Sequence, residues 1–195
     1  MRDAAWEKSS KILMRMFGPN GNLQAMNIYQ KITSKNGCCL NEKIMEGFLN
    51  HYQRDDIRKT HLFGGRYENI YLTEQHIPAL GLLIVEATNH AEDLLQLKNL
   101  RAGFWFNFMP PESTTTVHTH DDDDELLSAV YYVDVTEHSG NLIIYEKSNM
   151  PAPRKIEITP EAGEFIFFKP DVTHEVSRNN SSQSRLSIAI NFGQP

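Results

Sequence analysis

Apolar positions recur along this chain with two different periods. Up to about Leu100 they fall at intervals of three and four, and beyond it they alternate or come in short runs. Leu80, Leu83, Ile84, Ala87, Ala91, Leu94 and Leu95 lie on one stripe, which predicts a helix within Ile77 to Leu97. Pro78 is tolerated near its start, where the missing amide has no helical partner to lose, and Thr73 offers a cap upstream. A second helix is predicted from Asn41 to Leu49, with Asn41 as the N-cap. Phe63-Gly64-Gly65-Arg66 reads as a turn. The mixed aromatic and apolar segment Arg66 to Leu72 suits an edge strand, a contact surface or an extension of the core sheet.

The second half predicts seven strands: Gly103 to Met109, Leu126 to Val135, Asn141 to Tyr145, Lys155 to Ile158, Glu164 to Phe168, Val172 to Val176 and Leu186 to Phe192. Turn residues separate them at Pro110-Pro111, Ser139-Gly140-Asn141, Pro151 to Pro153, Glu161-Ala162-Gly163 and Lys169-Pro170-Asp171. Many short strands favour a sandwich or barrel. No repeat or linker interrupts the chain, and 195 residues suffice for one core. The expectation is a single α+β domain over 1–195, with 1–100 a mainly helical support and 101–195 the strand-rich core.

Composition narrows the partners. A formal charge of -6 leaves no basic footprint for nucleic acid, and part of that charge is concentrated in the acidic run Asp121 to Glu125. The opening residues lack the apolar core of a secretory signal and no stretch approaches a membrane span, so a cytoplasmic protein without a membrane partner is expected. Cys38 and Cys39 are adjacent, a poor geometry for a disulfide, and nothing calls for an oxidising compartment.

Candidate chemistry gathers in the second half. Residues two apart on a strand share a face, so His120 and Asp122 can approach one ion together, with His174 arriving from another strand. Two imidazoles and one carboxylate on one face of an octahedral ion leave three positions open, the arrangement associated with nonheme Fe(II) oxygenases. Arg185 and Ser187 also share a face and offer a planar guanidinium and a hydroxyl to a carboxylate. Tyr132 has the parity of Asp122, which would aim its phenol into the same cavity while Tyr131 packs on the opposite face. His118 is an alternative ligand, because His118 and His120 form a same-face pair as well; in that register Asp122 is a neighbour of the metal or a solvated acid. His51, His61, His76, His90 and His138 lack partners at ligand spacing and are expected to be structural or exposed.

His120-x-Asp122, the distant His174, ten further residues and then Arg185-x-Ser187 resemble the signature of the Fe(II)- and 2-oxoglutarate-dependent oxygenases. The segments Ala129 to Val133, Ser139 to Leu142 and Gly163 to Pro170 are similar to the prolyl-hydroxylase-like branch. The resemblance covers about half of the chain, from Gly103 to Phe192, and implies a double-stranded β-helix, a jelly-roll or cupin-like core, preceded by N-terminal helices. It further implies iron held by His120, Asp122 and His174, and 2-oxoglutarate held by Arg185 with help from Ser187 and Tyr132. Dioxygen would be the oxidant, and a substrate would be hydroxylated with release of succinate and CO2. The substrate, a protein side chain or a small metabolite, is left open, as is the oligomeric state; the loops 110–117 and 146–154 are expected to border the site. Two other readings stand beside it. His118, His120, Glu125 and His174 approximate a cupin metal motif, implying a metal-dependent dioxygenase or isomerase without 2-oxoglutarate; a noncatalytic ligand-binding barrel is the other.

Overall fold

The computed structural model describes residues 27–120, 124–146 and 152–195. Ten strands and two helices follow in the order β1 (Tyr29–Thr33), α1 (Gly37–His51), β2 (Lys59–Phe63), β3 (Arg66–Ile70), α2 (Ala79–Leu95), β4 (Arg101–Met109), β5 (Glu125–Asp134), β6 (Leu142–Glu146), β7 (Arg154–Ile158), β8 (Glu164–Phe168), β9 (Thr173–Val176) and β10 (Arg185–Gly193). They form a seven-stranded sheet, β1-β8-β5-β10-β4-β3-β2, and a three-stranded sheet, β7-β6-β9, with antiparallel pairing throughout. This is the double-stranded β-helix expected from the sequence.

Strand β10 shows how the pattern builds the fold. It reads Arg-Leu-Ser-Ile-Ala-Ile-Asn-Phe-Gly and is buried along nearly its whole length, because both of its faces are covered. Leu186, Ile188, Ile190 and Phe192 join the core beneath the helices. Arg185, Ser187, Ala189 and Asn191, of the other parity, line an internal cavity. Helix α1 buries Leu40, Ile44 and Phe48, and α2 buries Leu80, Leu83, Ala87 and Ala91 against the large sheet. The Phe48 ring lies 5.1 Å from that of Phe106 and 5.3 Å from that of Phe108. Each such aliphatic or aromatic side chain contributes about 1.5–3 kcal/mol by leaving water. A second apolar cluster, including Tyr132, Leu142, Ile144, Ile166 and Phe168, joins the two sheets.

All seven strands of the second half are present, with ends shifted by about one or two residues. In the first half β3 extends the core sheet from the segment expected to do so or to form an edge strand, while β1 and β2 were not expected beside the helices. β1 is largely polar and gains its place by pairing with β8, reinforced by a Lys31 to Glu164 ion pair of 2.8 Å. β2 and β3 form a hairpin around Gly64 and Gly65, whose φ values of 57° and 80° suit a tight turn that side chains resist. Helix α1 begins at Gly37, with Asn36 at its cap rather than Asn41. Asn41 instead accepts a 2.6 Å hydrogen bond from the Tyr131 hydroxyl, tying the helix to β5. Helix α2 starts after Pro78, and the Thr73 carbonyl closes the preceding turn on the amides of His76 and Ile77. Among the described residues no helix is long and apolar enough to cross a membrane.

Candidate active site

Three imidazoles converge at one end of the small sheet. His174 stands on β9, and its amide donates to the His118 carbonyl (2.9 Å) while the His118 amide donates back (3.0 Å), an isolated antiparallel bridge. The His120 amide donates to the Pro170 carbonyl at 2.9 Å. Residues 118 to 120 thus run beside β9, and His118 and His120 project to one side, as residues two apart on extended chain must. The ring centroids are 4.4 Å apart for His118 and His174, 4.9 Å for His118 and His120, and 5.0 Å for His120 and His174. One nitrogen from each ring lies within 4.8 Å of those of the others.

Backbone contacts assign the tautomers of two rings. His118 Nδ1 is 2.8 Å from the Thr116 carbonyl and His174 Nδ1 is 2.9 Å from that of Val172. A carbonyl can only accept, so both Nδ1 atoms carry the proton and each Nε2 presents a lone pair, the arrangement that orients histidine ligands. Burial, reinforced by the neighbouring imidazoles, lowers the pKa of His120 to about 3. Burial foremost, then His118, lowers that of His174 to about 4. Both rings are neutral at physiological pH, as metal ligation requires. Three imidazoles open to a cavity fit a divalent first-row metal such as Fe(II). Glu125, the cupin alternative, stands apart from the trio and pairs with Arg101 at 3.4 Å. Asp122 lies outside the described residues.

Arg185 opens β10 with only 1% of its surface exposed. Its Nη1 donates to the Gly140 carbonyl at 2.9 Å, and its Cζ lies 4.9 Å from the centre of the Tyr132 ring. Among the described residues its Nε and the Tyr132 hydroxyl have no hydrogen-bond partner. Burial lowers the guanidinium pKa, opposed by the Tyr132 phenol; burial also raises that phenol to about 12. Unspent donors on a buried cation call for an anion, because an uncompensated interior charge is costly. Ser187 is opposite Tyr132 on β5 and Asn107 on β4, so the three form a row across the sheet.

Arg185, Ser187, Tyr132, His118, His120 and His174 all line one cavity of about 420 Å³, within the usual range for small-molecule sites. Thr115 and Thr116 line it too, in keeping with a bordering role for the 110–117 loop; of the 146–154 loop, 147–151 lie outside the described residues. Sequence reasoning missed the contribution of the hairpin. His61, Glu68 and Asn69 reach the same cavity from β2 and β3, and no spacing links them to the ligands. His61 is exposed, as expected, with a left-handed φ of 57° and hydrogen bonds through Nδ1 to Thr60 and Asn69.

Comparison with known proteins agrees with this geometry. Residues 103–191 match the family model described as a putative 2OG-Fe(II) oxygenase, a span that includes the three imidazoles, Tyr132 and Arg185. No curated protein matches the chain in sequence. Among solved structures, the fold is shared with a prolyl hydroxylase from Trichoplax adhaerens in complex with a hypoxia inducible factor peptide fragment (17% identity, 97% of this chain and 93% of that one, TM-score 0.63). It is shared also with a prolyl-4-hydroxylase from Pseudomonas putida (18% identity, 88% and 90%, TM-score 0.57). A third is the epimerase SnoN in complex with Fe3+, alpha ketoglutarate and nogalamycin RO (14% identity, 95% and 84%, TM-score 0.66). The family match thus covers the strand-rich second half of the chain, and the solved structures share its double-stranded β-helix fold.

Proposed function

We propose that His118, His120 and His174 hold the iron, that Arg185 receives the distal carboxylate of 2-oxoglutarate, and that the reaction hydroxylates a C–H bond of a protein side chain or small metabolite. The observation that carries this reading is the pairing, in one cavity, of three converging imidazoles with a buried guanidinium whose Nε has no hydrogen-bond partner among the described residues. Bound iron supplies the activation of dioxygen, coupled to decarboxylation of the cosubstrate to succinate and CO2. The chain's own residues bind, orient and exclude water. Arg185, backed by Gly140, fixes the carboxylate; the Tyr132 hydroxyl is placed to donate a further hydrogen bond to it, and Ser187 flanks it. The apolar walls from Leu142, Phe168 and Val176 keep solvent from the cosubstrate's methylene carbons. His118 is preferred over Asp122 as the third ligand because a nitrogen of its ring lies within 4.8 Å of those of the other two while its Nδ1 is engaged by the Thr116 carbonyl.

Anaerobic visible absorbance tests both halves of the assignment. Adding Fe(II) and then 2-oxoglutarate to metal-free protein is expected to produce a charge-transfer band that requires both. His118→Ala should abolish it, Arg185→Ala should raise the 2-oxoglutarate requirement by at least about tenfold, and Asp122→Ala should leave the band in place. Loss of the band in Asp122→Ala with retention in His118→Ala would return the ligand set to His120, Asp122 and His174. Metal uptake with no response to 2-oxoglutarate would refute the Arg185 assignment.

A further inference from the structure

Glu68 is a carboxylate only 6% exposed, on a strand that precedes the family-matched segment. One oxygen accepts from the Thr116 amide at 3.1 Å and the other from the Thr116 hydroxyl at 2.9 Å. The Thr116 carbonyl, in turn, receives His118 Nδ1 at 2.8 Å. On the other flank of Glu68, Arg66 Nη2 approaches at 3.6 Å and also donates to the Thr114 carbonyl at 2.8 Å. Arg66 Nη1 reaches the Phe108 carbonyl and Asn107 Oδ1, each at 3.3 Å. Thr115, between them, bonds instead to β9: its amide donates to the Val176 carbonyl and its hydroxyl accepts from the Val176 amide at 2.7 Å. The loop that delivers His118 is therefore clamped on two sides, to the small sheet through Thr115 and to the hairpin through Thr114 and Thr116.

We infer that Glu68 is a positioning residue for the metal site, acting through Thr116 to fix the orientation and tautomer of His118; this rests on His118 being a ligand. A carboxylate removed from water is costly unless its oxygens are satisfied, and most of this one's bonding is spent on a single residue two before the ligand. That expenditure does little for the core, since α1 and α2 already cover the large sheet. It does tie to the hairpin a segment that is otherwise held on its β9 side, through Thr115 and His118. Indirect partners of metal ligands of this kind typically govern about 10- to 100-fold in metal affinity.

Isothermal titration of metal-free protein with Co(II), in the absence of 2-oxoglutarate, measures this without recourse to turnover. Glu68→Ala is expected to weaken Co(II) binding by about 10- to 100-fold and to change the ligand-field absorption of the bound ion. Glu68→Gln, which keeps one acceptor for the Thr116 amide, should show a smaller loss and keeps the volume should the alanine variant not fold. Leu83→Ala, a core truncation under α2, controls for stability: it should lower the melting temperature and leave Co(II) affinity unchanged. His118→Ala separates the two levels of the claim. If His118→Ala loses Co(II) while both Glu68 variants bind it as wild type does, the positioning role is wrong and the ligand assignment stands. If His118→Ala binds Co(II) normally, the ligand assignment fails and the role of Glu68 falls with it. A loss in Leu83→Ala equal to that in Glu68→Ala would reduce Glu68 to a general stabiliser and also overturn the inference.

Discussion

Gly140 links backbone conformation to the placement of the Arg185 guanidinium. Its φ of +99° lies in the region side chains resist, and a Cβ there would sit 2.5 Å from the Ser177 carbonyl oxygen, so the backbone would have to shift. The carbonyl that would move is the one accepting from Arg185 Nη1. Gly140→Ala is therefore expected to lose about 1–3 kcal/mol of stability and, separately, about tenfold in 2-oxoglutarate affinity, with Co(II) affinity unchanged. Titrating 2-oxoglutarate into Co(II)-loaded protein checks this, and unchanged affinity in a folded variant would show that the backbone shift does not reach the guanidinium. Residue-scale reasoning from sequence reached Arg185, Ser187, Tyr132, His120 and His174, because alternation on a strand sorts faces without any coordinates. It took Asp122 as the third ligand with His118 as the alternative, a choice that parity cannot make. Both stand two residues from His120, so parity is the same for each, and only the backbone bridge to His174 brings His118 into the cluster. Glu68 was illegible for another reason: its partner, Thr116, is far along the chain and gives no periodic signal.

The junction of α1 with β5 carries the pH dependence. Tyr131 is fully buried, and its hydroxyl donates to Asn41 on the helix. Burial foremost raises its pKa to about 12, against about 10 for an unfolded tyrosine. The folded state thus holds the phenolic proton more tightly; the resulting stability is intact below pH 10 and is lost as the pH rises towards 12, at up to about 1.4 kcal/mol per pH unit. Tyr131→Phe is expected to cost about 1 kcal/mol near pH 8 through the lost hydrogen bond, and to show a shallower alkaline decline in urea midpoint between pH 9 and 11. Parallel declines for the two proteins would place the alkaline sensitivity elsewhere. At this scale the sequence was informative wherever an element carried its own apolar pattern, as in Glu-Phe-Ile-Phe-Phe of β8 and the stripe of α2. β1 escaped notice because Tyr-Gln-Lys-Ile-Thr has little pattern of its own and is a strand only through pairing with β8. The start of α1 was missed because Gly37-Cys38-Cys39 offers no apolar stripe, and its Asn36 cap makes no side-chain bond.

Across the whole molecule, the two sheets divide the work. The large sheet is backed by helices and supplies Arg185, Ser187 and Tyr132 from its middle strands, where burial is deepest. The small sheet is thinner, and its last rung is the single bridge between His118 and His174. A metal ion held by the three imidazoles would act on that rung as a clasp, joining the 118–120 segment to β9 through side chains as well as through amides. The chain between His120 and His174 would then close into a ring, and the cost of opening the rung would rise by the free energy of metal binding. A hydrogen-bonded amide exchanges only when its bond opens, so the His118 and His174 amides should exchange with deuterium markedly faster without metal than with Co(II), while amides in β5 and β10 stay protected in both. Equal exchange at the rung in the two states would mean that the ladder alone holds it shut. With the expected difference, the loading state of the site is written into the breathing of the fold, and a metal-starved protein exposes its small sheet first.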